Sequence, residues 1–254
     1  MDLSELVRRL DDRLDTAAYA DVDASANGLQ VGPEEASVER VAFAVDAAME
    51  TIEAAARNDA DLLVTHHGLS WGGIERVTGR THDRIAALVD HDIALYVSHL
   101  PLDGHMELGN AAGIADELGL ENREPFGSVG PETVGLVGDA AKPLSVSLLK
   151  SHLAEFEGSV REPQVLAFGP ETVERVAVLT GSGTDWLDEV VDAGADALVT
   201  GEGKQQVYHD AREAGITVVL GGHYATETFG VRNLQEIVDA WGLETEYVSH
   251  PTGL

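Results

Sequence analysis

Val38-Glu39-Arg40-Val41-Ala42 and Asp61-Leu62-Leu63-Val64-Thr65 recur further along the chain as Val173-Glu174-Arg175-Val176-Ala177 and Asp196-Ala197-Leu198-Val199-Thr200. The offset is 135 positions in both pairs, no gap is needed, and the same offset carries Gly68 onto Gly203. A register held over such a stretch marks an internal duplication. Upstream, Gly32-Pro33-Glu34 matches Gly169-Pro170-Glu171 after a two-residue adjustment. The sequence therefore predicts two related halves, residues 1–125 and 126–254, joined in the polar stretch Glu121 to Pro131.

Each half reads the same way outward from the repeat. An amphipathic helix comes first, with Leu3, Leu6, Val7, Leu10 and Leu14 at helical spacing, and its counterpart covers Leu144 to Phe156. A strand follows (Leu29–Val31; Val165–Phe168), then a buried strand (Arg40–Val45; Arg175–Leu179) and a helix (Ala47–Arg57; Asp185–Asp192). The short apolar strands Asp61–Thr65 and Asp196–Thr200 come next, and a further helix leads to Ile93–Val97 or Ile216–Leu220. Strands alternating with helices predict an α/β fold with a largely parallel sheet in each half. Ligands of such sheets sit beyond the carboxyl ends of the strands.

Composition narrows the function classes. The 254 residues are 44% hydrophobic and contain no cysteine, which excludes disulfides and thiolate-ligated metals. The opening MDLSELVRRL carries charges where a leader needs apolar residues, and no run approaches the roughly 18 apolar residues of a membrane span. A cytoplasmic protein is expected. Lys+Arg of 16 against Asp+Glu of 45 gives a net charge of −29, which repels nucleic acid and anionic membranes alike. Such acidity without low complexity suits a salt-rich cytoplasm, so a halophilic protein is expected.

The strand ends carry the chemistry. After Thr65 comes His66-His67-Gly68; after Val97, Ser98-His99 leads to Asp103-Gly104-His105; after Thr200, Gly201-Glu202-Gly203; after Leu220, Gly221-Gly222-His223 leads to Glu227. Five of the ten histidines fall at these ends. His66 and His67 are adjacent where a strand runs into glycine, and His223 and Glu227 are four apart, on one face if a helix begins between them. Imidazole and carboxylate donors without thiolate suit zinc, manganese, iron or nickel. The set His66, His67, Asp103, His223 and Glu227 has the makeup of a two-ion site. His99 and Glu202 are candidate acid–base groups, His105 a candidate orienting partner, and Asp46 a candidate pocket residue. Gly181 to Thr184 precedes a predicted helix and is a candidate anion cradle. Trp71, near His67, is a candidate for stacking a ring. No nucleotide-binding glycine motif of the GxxxxGK[ST] or GxGxxG type occurs.

These motifs resemble the GTP cyclohydrolase I type 2 homologues, also called Nif-three-like dinuclear-metal proteins. The matching pieces are Ser25–Gly32, Val64-Thr65-His66-His67-Gly68, Pro101-Leu102-Asp103 with Gly109-Asn110 following, Thr200-Gly201-Glu202, and Gly221–Glu227. The resemblance implies two similar α/β domains whose shared cleft holds two divalent ions. It implies ligands at His66, His67, Asp103, His223 and Glu227, with Glu227 as the bridge, and a toroidal homohexamer. Where many members have a His-Thr-x-x-Asp pattern, this chain has His99-Leu100-Pro101-Leu102-Asp103, which removes a hydroxyl beside the site.

The function expected is metal-dependent hydrolysis of a small molecule, by resemblance the opening of the guanine ring of GTP. The competing expectations are a non-enzymatic metal-binding or scaffold hexamer and a metal-dependent phosphoesterase.

Overall fold

The computed structural model describes all 254 residues. In chain order the elements are α1 (Leu3–Leu14), β1 (Gly28–Val31), β2 (Arg40–Asp46), α2 (Met49–Arg57), β3 (Leu62–His67), α3 (Gly79–Asp90), β4 (Ala94–Val97), α4 (Leu100–Gly104), α5 (Asn110–Glu117), β5 (Leu120–Val129) and β6 (Glu132–Ser145). They continue with α6 (Val146–Ala154), β7 (Gln164–Ala167), β8 (Thr172–Val178), α7 (Leu187–Asp192), β9 (Ala197–Thr200), α8 (Val207–Ala214), β10 (Thr217–Leu220), α9 (His223–Thr226), α10 (Thr228–Ala240) and β11 (Glu244–Tyr247). The chain divides into two compact units, Met1–Leu102 with Gly230–His250, and Asp103–Phe229 with Pro251–Leu254.

The first unit is built on a sheet of order β1-β4-β3-β2-β11. Every pairing is parallel except that of β1, which closes the edge antiparallel to β4. Five consecutive residues of β2, Val41 to Val45, are buried, so both faces of this central strand are covered. Ala42, Ile52, Ala55, Leu63, Leu88 and Leu95 form the core between sheet and helices. Helix α1 buries Leu3, Leu6, Leu10 and Leu14, the stripe its periodicity predicts.

The second unit has the order β5-β6-β8-β9-β10-β7. Here β8, β9 and β10 are parallel, while β5, β6 and β7 run antiparallel to their neighbours. Its sheet is therefore mixed rather than largely parallel. The cause lies in the stretch Glu121 to Pro131, expected as a linker: most of it is strand β5, which turns at Gly130 (φ 61°) and returns as β6. The division between units falls at Leu102/Asp103 rather than near residue 125, and residues 230–250 rejoin the first unit because β11 pairs with β2. Leu136, Leu149, Leu153, Val176, Val199 and Val219 lie in the second core.

The duplication is visible in backbone detail. The order β1-β4-β3-β2 matches β7-β10-β9-β8, with the antiparallel strand at the same edge. Asp61 Oδ2 accepts from the backbone N–H of Glu39 (2.8 Å) and Arg40 (2.9 Å). Asp196 Oδ2 accepts from Glu174 (2.8 Å) and Arg175 (3.1 Å), the residues at the repeat offset. In both units this one carboxylate ties a strand, β2 or β8, to the turn that enters its neighbour. No helix is long and apolar enough to cross a membrane.

Candidate metal centre

In the first unit three histidines meet at the carboxyl ends of β3 and β4. His66 is fully buried, and its Nδ1 lies 3.0 Å from the carbonyl oxygen of Ser98. A carbonyl only accepts, so Nδ1 carries the hydrogen and the neutral ring places its lone pair on Nε2. His67 Nδ1 faces Asp46 Oδ1 at 2.8 Å and His99 Nδ1 faces Asp23 Oδ1 at 2.9 Å, which fixes the same tautomer in both neutral rings. Ring centroids are 4.6 Å apart for His66 and His67, 5.1 Å for His66 and His99, and 5.8 Å for His67 and His99. One nitrogen from each ring lies within 4.8 Å of the others, close enough to share an ion.

Asp23 is the residue that sequence reasoning missed. Its side chain is 1% exposed and collects four donors: the His99 ring, Asn27 Nδ2 (2.8 Å), and the backbone N–H groups of Ser25 (2.8 Å) and Leu100 (3.0 Å). Asn27 Oδ1 in turn accepts from the His99 N–H at 2.8 Å. Burial pushes the Asp23 carboxyl up, but the hydrogen bond and charge of His99, with Asn27 and the Ser25 amide, outweigh it and hold the group at about 2. The Asp-x-Ser spacing signals a local turn. Nothing local signals a histidine 76 residues away.

The second unit carries the acidic donors. Asp103 lies on α4, buried, and accepts from Asn110 Nδ2 and Thr180 Oγ1, both at 2.9 Å. His223 opens α9 behind Gly222, whose φ of 97° permits the sharp entry. His223 Nε2 lies 3.1 Å from Glu227 Oε1, and its Nδ1 lies 3.1 Å from Glu202 Oε1. Asp103 and Glu227 bring carboxylate oxygens within 4.8 Å of each other although both residues are buried. Two buried carboxylates at that range call for positive charge between them. Burial pushes His223 down, but Glu227 and then Glu202 more than reverse this, so the ring is pushed up to about 9. Glu202 is held low, chiefly by the Ser182 hydroxyl at 2.6 Å, with burial opposing and His223 adding to the effect.

The remaining expected residues divide. Asp46 stands beside His67, with its Oδ1 2.8 Å from Nδ1. His105 instead accepts from the N–H groups of Glu107 and Leu108 through Nδ1, a turn-forming role. Gly181 to Thr184 is no anion cradle: the Gly183 N–H is spent on Thr200 Oγ1 (2.9 Å), Ser182 on Glu202, and Gly181 faces Glu227. An anion there would meet two carboxylates.

A family model described as Duf34/NIF3 (NGG1p interacting factor 3) matches residues 1–251. A relative from Halobacterium salinarum, named GTP cyclohydrolase 1 type 2 homolog, is 58% identical, with all of both chains covered. One of the same name from Archaeoglobus fulgidus is 44% identical over the whole of both chains. The solved structure of TTHA1606 from Thermus thermophilus superposes with a TM-score of 0.90 at 38% identity, again over all of both chains.

Proposed function

The chain belongs to the Duf34/NIF3 family, and from that premise we propose that it is a metal-dependent hydrolase that opens the guanine ring of GTP. The observation that carries the metal is the tautomer pattern: the adjacent His66 and His67 both have Nδ1 on an oxygen, which leaves Nε2 of each as the ligating atom. The buried pair Asp103 and Glu227 supplies hard anionic oxygen, and His223 sits against Glu227. We assign His66, His67, Asp103, His223 and Glu227 as ligands of two divalent ions, drawn from zinc, iron, manganese and nickel by the chemistry of the donors. Such ions, when bound, supply Lewis acidity and a water whose pKa is lowered toward about 7.

The chain's own groups do the rest. His99 stands beside the two histidine ligands but is backed by Asp23, a buried carboxylate that fixes its tautomer and orientation. His99 is therefore the group that holds or moves a proton at Nε2. Glu202 orients His223 through Nδ1 and is itself oriented by Ser182, which makes it a positioning residue. The name shared by the relatives, GTP cyclohydrolase 1 type 2 homolog, supports GTP as the substrate in this reading. The test is formate release from GTP by metal-loaded protein. Formate is expected in stoichiometric amounts with the ring-opened product, and none beyond a His66→Ala control refutes the reading.

The same reading places the protein in a salt-rich cytoplasm as a homohexamer. Light scattering after gel filtration in molar KCl tests the assembly, with a monomer mass as the contrary result.

A further inference from the structure

We infer that Trp71 is the stacking platform for a flat heteroaromatic ring, set at the rim of the histidine cluster; this deepens the hydrolase reading by assigning the contact that holds the base. Trp71 is 47% exposed, so it is not an ordinary packed aromatic. Its position is nonetheless built. Its backbone bridges Ser25 in antiparallel fashion, the Ala26 N–H donates to Ser70 O at 3.3 Å, and the Gly72 N–H donates to Ala24 O at 2.6 Å. The segment that pins it thus begins one residue after Asp23, the carboxylate behind His99.

The indole lies edge-on to His99, with centroids 4.9 Å apart and planes at 82°, and 6.0 Å from His67. Beyond it the chain leaves. Gly72 (φ 70°) and Gly73 (φ 100°) take conformations that side chains avoid, and nothing lies within 4 Å of where a Cβ would stand on either. The indole therefore reaches the imidazoles on one side and keeps much of its surface in the open. Ile74 and Val77, further along the same loop, are exposed as well. A protein of charge −29 repels an anionic ligand at long range, so affinity for a nucleotide must come from ions or from contacts that do not depend on charge. A π-face accepting a planar base is such a contact.

The test is equilibrium binding of guanosine, GTP and inorganic triphosphate to the metal-loaded full chain, its Trp71→Ala and Trp71→Phe variants, and metal content measured on each. Loss of one stacked base amounts to about 10- to 100-fold in affinity. Trp71→Ala is expected to lose that factor for guanosine and GTP, to bind triphosphate as the wild type does, and to keep its metal. Trp71→Phe is expected to stay within about threefold, since a phenyl face still stacks. Guanosine is also expected to quench wild-type tryptophan emission and to leave that of Trp71→Phe unchanged, a readout that does not depend on how the alanine variant folds. Unchanged guanosine affinity in Trp71→Ala, equal quenching in Trp71→Phe, or no binding of guanosine to the wild type overturns the inference. Guanosine bound through Trp71 without formate release from GTP supports it and removes the ring-opening reaction instead.

Discussion

Substituting Gly181 by alanine tests the acidic half of the site with a single methyl group. Gly181 has φ +60°, and a Cβ built there stands 2.6 Å from Glu227 Oε1 and 3.3 Å from His223 Nε2. Ordinary contact begins at 3.4 Å, so the carboxylate must retreat by about 0.8 Å. It cannot swing into solvent, because the Glu227 side chain is 3% exposed and lies against His223. The left-handed backbone adds a separate cost of about 1 kcal/mol. Gly215→Ala isolates that term: Gly215 has φ +68° at the end of α8, with only Phe168 O, at 3.9 Å, near its Cβ position. Gly215→Ala should lose about 1 kcal/mol, roughly 2–4 °C in Tm for a chain of this size, and Gly181→Ala should lose more, because the clash with Glu227 adds to the backbone cost. Displacing a ligand by that distance should weaken metal retention about tenfold or more in Gly181→Ala alone. The assay is metal content after dialysis against graded chelator, read beside thermal unfolding. Wild-type metal retention in Gly181→Ala would refute Glu227 as a ligand.

Three further outcomes follow from the geometry. Asp23 has its folded pKa lowered from 3.8 to about 2, so its contribution of about 2 kcal/mol is present above pH ~4 and is lost as pH falls toward 2; Asp23→Asn should be less stable at pH 7, and a gap from wild type that does not shrink between pH 4 and pH 2 in urea unfolding would contradict this. Asp61→Ala and Asp196→Ala each strip two backbone N–H groups of their acceptor, so both should destabilise by about 1–3 kcal/mol; a large effect at one and none at the other, in the same denaturant assay, would show that the two repeats do not use the clamp alike. Self-repulsion at −29 should make Tm rise from dilute buffer to molar KCl, and full stability in dilute buffer would count against a salt-adapted chain.

The repeat shows in direct comparison of the two halves, and local pattern was enough for the stripe of α1 and for the strands that lead to His66-His67, His99 and His223, because each is a matter of period and punctuation within about a dozen residues. Knowing that ligands gather beyond strand ends then singled out side chains that stand together in each unit: His66 with His67 and His99, and His223 with Glu227. What the chain order could not disclose is which distant groups meet. The β5–β6 hairpin looked like a linker because Glu121 to Pro131 is polar, yet it is held by pairing with β8, whose partner residues lie dozens of positions away. Strand β11 belongs to the first unit because its edge finds β2, placing Glu244 against Arg40 across 204 residues. Asp23 became the support of His99, and Gly181 the wall behind Glu227, for the same reason. Residue type and spacing determined what chemistry this protein carries; only folding, which spends backbone pairing and burial on contacts far apart in sequence, decided which carboxylate stands behind which imidazole.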